Sequence, residues 1–419
     1  MSYILLDYSI QGINKIDKGI SKMKYKGLVI SDIHVGAFDV ERQYMEFHDI
    51  FINYIKKLKT LDFLIITGDY FHHKFYLNDK ESVYAYRMMK NLIEVCSRLN
   101  TKIRIVYGTE SHECNQYDVL SILDLYDDIR IIKKVESEEL LPGMNVLYLP
   151  EEYMYNKHEY YKDYLYSNNR YDYIFGHGVI REIMGTVASK MESDSSKRLK
   201  VPVFNSKELD DVCYGETYFG HYHIGYNIND KIFSVGSFSR WQFGEEEPKG
   251  FYELTCDPIK EKYSHKFHEN TLAEKFVTIG FGYNSKIFTD NDYMQKELSK
   301  VDKMIEDDIM DHVRFEFNIP EDAENPESTI NYIKERYKFN DTIKVNIVNG
   351  YIEKKKEVQK EKISEDLDKY GFIYDKSLPI ENKIHQYITI EYSKDIPVSD
   401  IKLYLLEPLD EIYSKYNYK

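Results

Sequence analysis

The chain has 419 residues, enough for a large domain with one or two smaller ones, and its 30% of charged residues without a long apolar run predict a soluble globular protein, cytoplasmic and without a membrane span. A formal net charge of -15 excludes a basic surface that holds a polyanion by charge alone, so a nucleic-acid substrate requires positive charge from metals or from a partner. The four cysteines (Cys96, Cys114, Cys213, Cys256) are widely spaced and form no CxxC pair, which argues for reduced thiols over a disulfide framework or a thiolate zinc site.

At the amino terminus, MSYILLDYSIQGINKIDKGI has acidic residues interrupting its apolar stretch and lacks a small-residue cleavage site, so it does not read as a secretory signal. From Lys24 to about Thr255, short β-rich runs alternate with amphipathic stretches, the pattern of a layered α/β core. Strands are predicted at Gly27 to Ser31, Asp62 to Thr67, Ile103 to Tyr107, Tyr171 to Gly176, Thr217 to Gly220 and Lys231 to Gly236, each short and apolar as strands buried on both faces are. Between the first two, Phe47, Ile50, Phe51, Tyr54, Ile55 and Leu58 recur at spacings of three and four and predict a helix from about Glu41 to Lys59. Tyr84, Met88, Leu92, Val95 and Leu99 do the same before the third strand; both stripes read as core packing.

Beyond Asp257, VRFEFNIP, PESTINYIKERYK and TIKVNIVN predict a small strand–helix–strand domain. The segment from Tyr351 to Gly371 is polar with sparse apolar positions, either a solvated helix or a stretch that orders against a partner. The run from Val398 to Tyr418 has one apolar helical face, broken near Pro408. The division expected is 1–260, 261–350 and 351–419.

The residues able to do chemistry follow strand ends, where α/β folds place functional loops. Asp32 and His34 stand in SDIH after the first strand, and two residues apart across a turn they can offer a carboxylate and an imidazole to one ion. Asp69 follows the second strand in TGDYFHH, where Gly68 permits a close turn and the carboxylate has two oxygens able to bridge two cations. GTESHE carries Ser111 and His112 after the third strand, and GHG carries His177. In GHYH, His221 and His223 alternate at a strand end and can reach toward different metals. Each piece alone reads equally well as a satisfied polar residue; five in this order point to a metal centre.

The order DxH, GD, a Gly-initiated loop ending in His-Glu, GH and GHxH resembles the calcineurin-like metallophosphoesterase superfamily, over about Gly27 to His223. The resemblance implies a four-layer α/β/β/α sandwich with a smaller α/β capping domain and C-terminal helical partner-binding segments. It implies two divalent ions, the first held by Asp32, His34, Asp69 and His223, the second by Asp69, His177, His221 and the residue at Ser111. His112 becomes the histidine that contacts the scissile phosphate and protonates the leaving oxygen. Two cations roughly 3.5 to 4 Å apart clamp a phosphate and generate a nucleophile from water near neutral pH. The resemblance departs at Ser111, where the family has Asn; the second ion then binds more weakly, uses a water or recruits Glu110.

Two features resemble the SbcD / MRE-eleven branch of DNA repair nucleases, which includes recombination endonuclease subunits of tailed phages. One is GDYFH, in which His72 stands where that branch places a histidine that contacts the substrate phosphate, with His73 an ambiguous neighbour. The other is VGSFSRWQFGEEEPKGFYEL, with Gly236, Ser237, Phe243, Glu245, Lys249 and Gly250 in the branch's turn and return. The branch implies Mn²⁺, DNA as substrate, a homodimer and an SbcC-type coiled-coil ATPase partner. Expected, therefore, is an exonuclease and endonuclease acting at DNA ends in repair or recombination. The alternatives are a phosphomonoesterase or cyclic-nucleotide phosphodiesterase on the same core, and a DNA- or partner-binding module with an impaired second metal site.

Overall fold

The first strand, β1 (Tyr25–Ile30), is an apolar run whose last four residues are buried, and the site loops begin directly after it. The computed structural model describes residues 24–120, 126–184, 201–280, 286–306, 311–318, 326–337, 344–348 and 380–392. These fall into two units, one running to Val277 and including Met304–Val313, the other taking Thr278–Lys303 and the chain from Arg314 onward.

The first unit is mixed α/β and holds two six-stranded sheets. In one, β1 is flanked in parallel by β2 (Phe63–Thr67), which continues to β3 (Lys102–Val106) and β4 (Ile129–Ile132), while the antiparallel hairpin β13 (Gly250–Asp257) and β14 (Lys262–Glu269) completes its other side. In the other, β6 (Met144–Leu149), β7 (Tyr171–His177), β10 (Cys213–Gly220) and β12 (Ile232–Ser234) are parallel neighbours, edged by the antiparallel β5 (Glu136–Leu141) and β11 (Tyr226–Ile228). A two-stranded pair, β8 (Val179–Ile180) with β9 (Val203–Phe204), stands apart.

Alternation along each strand sends neighbouring residues to opposite faces. Val29, Phe63, Ile65 and Val106 of the first sheet therefore share one core with Val146, Tyr148, Tyr173, Phe175 and Tyr218 of the second. Leu28, Ile30, Leu64 and Ile66 point the other way and pack against Phe47, Phe51, Met88 and Leu92 from helices. On the second sheet, Leu147, Leu149, Ile174 and Phe219 pack with Tyr161, Leu165 and Leu209. Both faces are covered, which is why these strands read as continuous apolar runs. Arg104 on β3 reaches across to Glu138 on β5, Nε to Oε1 at 2.6 Å and Nη2 to Oε2 at 3.2 Å, an ion pair joining the two sheets.

The helical stretch expected from Glu41 to Lys59 is present as α1 (Val40–Glu46), a π-helical stretch (Phe47–Ile52) and α2 (Asn53–Lys57). Asp39 caps it by accepting from the Arg42 backbone N–H at 3.0 Å. The wider π turn lets Phe47, Phe51 and Ile52 all be buried, which a 3.6-residue period alone does not arrange. The second stripe forms α3 (Lys80–Ser97), and the GTESHE loop contains one short helical turn, α4 (Glu110–Glu113).

Toward the carboxy terminus, β16 (His312–Asn318) and β17 (Lys344–Val348) pair in parallel, with α6 (Pro326–Arg336) between them in sequence, as expected of a strand–helix–strand arrangement. The helix α5 (Asn291–Glu306) precedes them, and β15 (Phe276–Gly280) is the third strand of the sheet. A further helix, α7 (Ile380–Tyr392), was not anticipated from the sequence pattern. The segments Tyr351–Gly371 and Val398–Tyr418, as well as residues 1–23, lie outside the described residues. Among the described residues, no helix is long and apolar enough to cross a membrane, and all four cysteines are free.

Candidate metal centre

The loops after β1, β2, β7 and β10 converge, and their backbone is held in an unusual conformation. Asp32 (φ 46°), His34 (φ 47°), Asp69 (φ 47°) and His221 (φ 92°) all lie in the left-handed region. Each such residue costs on the order of 1–3 kcal/mol, and clusters of them mark functional sites. The conformation is over-determined by neighbours: Asp32 N–H donates to Gly68 O at 3.2 Å, His34 N–H to Asp69 O at 3.0 Å and Val35 N–H to Tyr70 O at 2.8 Å. Glycine is required where the loops meet. A Cβ on Gly68 would lie 2.1 Å from His177 Nδ1, and one on Gly108 would lie 2.3 Å from Asp69 Oδ1.

The convergence produces overlapping groups of potential ligand atoms, each group within 4.8 Å: Asp32, His34 and His223; Asp32, Asp69 and His177; Glu151, His177 and His221; and His34, His72 and His112. Asp69 occupies the junction. Its Oδ2 is 3.6 Å from His34 Nε2 on one side and 3.3 Å from His177 Nε2 on the other, the position of a bridging carboxylate. His34 Nε2 is 3.1 Å from His223 Nε2 and 3.8 Å from Asp32 Oδ1.

The imidazoles are oriented by their outer nitrogens, as metal-binding histidines usually are. His177 Nδ1 faces Thr67 O at 2.8 Å, leaving Nε2 for the centre. His223 Nδ1 lies 2.9 Å from Glu245 Oε1, while its carbonyl accepts from Ser237 N–H at 3.1 Å and from Lys249 Nζ at 2.6 Å. His112 Nδ1 is bonded to the His72 carbonyl, so Nε2 is its outward nitrogen. His72 Nδ1 is 3.3 Å from His34 Nδ1. Asp32 is fixed by Ser31 Oγ–H at 2.6 Å and by the His221 N–H at 3.1 Å.

Charge is the chemical signature. Asp32, Asp69 and Glu151 are all buried, and among the described residues their ion pairs are with imidazoles. Buried carboxylates need a compensating cation. Without one, burial raises the Asp32 carboxyl, although His177 and His223 pull it down. Burial would depress the His177 imidazole, but Asp69, Asp32 and Glu151 outweigh it and raise it to about 10. His34, in contrast, is held well below its ordinary value by burial and by its imidazole neighbours. A set of carboxylate oxygens and imidazole nitrogens without thiolate fits borderline or hard divalent ions, so the residues present fit a metal centre.

The structure brings together Asp32, His34, Asp69, His177, His221 and His223, with His72 and His112 beside His34. It does not bring in Ser111. That side chain is exposed on the first turn of α4, as is Glu110, because the turn directs both outward and presents His112 instead. Two other residues stand beside Asp69 and His221. Thr109 donates from its backbone to Asp69 Oδ1 at 2.7 Å and from Oγ1 to Glu151 Oε2 at 3.1 Å, and Glu151 stands 3.2 Å from His221 Nδ1. Glu151 was legible in principle, since MNVLYLPEE is another apolar run ending in a carboxylate, but paired glutamates read as solvated. Also missed was Trp241, whose ring centroid lies 4.9 Å from that of His34 and 4.6 Å from that of His223. His73 is exposed and belongs to none of the groups.

No protein-family model matches the chain, and no curated protein matches it. Among solved structures 36 chains match; one has 13% sequence identity, covers 58% of this chain and 99% of its own, and superposes with a TM-score of 0.32, a level that carries no weight for function.

Proposed function

We propose that this chain is a metal-dependent DNA nuclease of the metallophosphoesterase type, built on an α/β/β/α sandwich and hydrolysing phosphodiester bonds at DNA ends. The observation that carries the reading is the doubled donor set, with Asp69 facing imidazoles on both sides. Two divalent cations, Mn²⁺ in our reading, would be held by Asp32, His34, Asp69 and His223 on one side and by Asp69, His177 and His221 on the other. When bound, they supply Lewis-acid polarisation of the phosphate and activation of water.

The remaining chemistry belongs to the side chains. His112 keeps its Nδ1 on the His72 carbonyl, so its Nε2 is the nitrogen able to deliver a proton to the leaving oxygen. His72, half-buried next to it, is available to a phosphate oxygen. Glu245 holds His223 through Nδ1 and keeps Nε2 directed inward. The preference for DNA over small phosphoesters is supported by GDYFH and the Gly236 to Gly250 turn, whose Ser237, Glu245 and Lys249 all contact His223. The charge of -15 supports an SbcC-type ATPase as the source of DNA-binding charge, with the nuclease acting as a homodimer.

The test is cleavage of linear duplex DNA by the purified full chain with Mn²⁺. Cleavage by the wild type and its loss in Asp69→Ala and His112→Ala is the expected result. Faster turnover of a chromogenic phosphomonoester or a cyclic nucleotide than of DNA would replace the reading with that activity. Binding of DNA without cleavage of any of these substrates would make the chain a binding module.

A further inference from the structure

We infer that Glu151 is a direct ligand of the second ion, replacing from a different strand the donor that the GTESHE loop does not supply; this rests on the metal-centre reading above.

Three observations lead there. The first is placement. β6 and β7 run parallel with Leu149 opposite Gly176, so Glu151 and His177 emerge side by side from adjacent strand ends. The Glu151 N–H donates to Tyr107 O at 3.2 Å, which ties that strand end to the end of β3. The second is burial with a particular set of partners. Glu151 is 6% exposed, and its ion pairs are both with imidazoles, His221 Nδ1 at 3.2 Å and His177 Nε2 at 4.0 Å from the same Oε2. A buried carboxylate facing two imidazoles, of which His177 also faces Asp69 at 3.3 Å, is arranged as a ligand rather than as half of a structural salt bridge. The third is support. Thr109 Oγ1 donates to Oε2 at 3.1 Å and Tyr153 OH donates to Oε1 at 3.2 Å, so the carboxylate is fixed in orientation by residues that do not neutralise it.

The consequence is electrostatic. With Glu151 the centre contains three carboxylates, Asp32, Asp69 and Glu151, against two divalent cations. Relative to a neutral hydroxyl or carboxamide at this position, the added anionic ligand lowers the net charge of the centre by one and tightens the second ion by direct attraction.

The experiment is Mn²⁺ binding to the full chain, measured by equilibrium dialysis with elemental analysis and by electron paramagnetic resonance. The fluorescence of Trp241, the chain's single tryptophan, reports the His34 and His223 side independently. Expected is two ions per wild-type chain with a spin-coupled spectrum. Glu151→Gln should hold one ion, lose the coupled spectrum and retain the Mn²⁺-induced change in Trp241 emission, while Ser111→Ala and Glu110→Gln behave as wild type. Should Glu151→Gln fail to fold, Glu151→Asp should weaken the second ion at least tenfold with the Trp241 response unchanged. Two ions bound with wild-type affinity by Glu151→Gln or Glu151→Asp, or loss of one ion in Ser111→Ala, would overturn this inference and leave the metal-centre reading standing. A wild type that binds no Mn²⁺ overturns both.

Discussion

Replacing Glu245 by Gln isolates what one outer carboxylate does for the centre. Glu245 is 3% exposed, its Oε1 is 2.9 Å from His223 Nδ1 and 3.0 Å from Gln242 Nε2, and Lys249 Nζ lies 3.7 Å from its Oε2. Glutamine preserves the acceptor and therefore the ring orientation, but removes the charge that makes the His223 ring a stronger donor to an ion. Changes of this kind cost roughly 10–100-fold in metal affinity, or about 1.4–2.7 kcal/mol. Lys249 stays fully buried and keeps its bond to the His223 carbonyl, so the fold loses a charge partner without losing the clasp. Titration with Mn²⁺ followed by Trp241 emission measures the effect directly, since the two rings are 4.6 Å apart. The dissociation constant of the ion on the His223 side should rise by at least tenfold, with the second ion little affected. An affinity within twofold of wild type would refute the idea that Glu245 acts through His223.

Glu138→Gln should lower the melting temperature substantially, because Arg104, with 5% of its side chain exposed, loses its bidentate partner; removing one member of a buried pair costs roughly 3–5 kcal/mol, and the partial exposure of Glu138 places the expectation near the lower bound. An unchanged melting curve would show that the inter-sheet ion pair contributes nothing. Glu113 is buried, accepts from the Tyr70 N–H at 3.3 Å and the Tyr117 hydroxyl at 3.0 Å, and lies near Asp69; burial, reinforced by Asp69, outweighs those bonds and pushes its carboxyl from an ordinary 4.5 up to about 8. The folded chain therefore keeps a proton that the unfolded chain releases, so this group's contribution is full below about pH 4.5 and is lost as the pH rises toward about 8. Glu113→Gln should flatten that decline in the metal-free protein, as read by melting temperature against pH; an identical slope in both proteins would sink it. Gly68→Ala forces a side chain at φ +87° and places a Cβ 2.1 Å from the His177 ring, so it should cost about 2 kcal/mol or more in stability and displace His177 from the centre, checked by Mn²⁺ stoichiometry.

Much of the candidate centre was readable because most of its side chains come directly after an apolar run. SDIH, TGD, GHG and GHYH place a carboxylate or an imidazole at the end of a buried strand or one or two positions past it, and within each of the two sheets parallel pairing brings those ends out side by side. The apolar stripe from Phe47 to Leu58 also sufficed to place a helix, though not its π-helical middle, since the choice between a 3.6-residue turn and a wider one depends on what Phe47 and Phe51 meet, here Phe238.

The sequence by itself determined the alternating α/β character, the buried strands and the identity of most candidate ligands, because periodicity and strand-end placement are local properties of the chain. Tertiary structure alone decided which carboxylate stands beside His177 and His221. Ser111 and Glu110 turn outward on α4, while Glu151, some forty residues further on, comes alongside His177 only because β6 pairs with β7. Trp241 beside His34, Lys249 beneath His223 and Arg104 clasped to Glu138 are equally invisible in the order of residues. Each depends on which strands become neighbours and how two sheets stack, and that is fixed by burial of apolar surface across the whole unit, not by any segment acting alone.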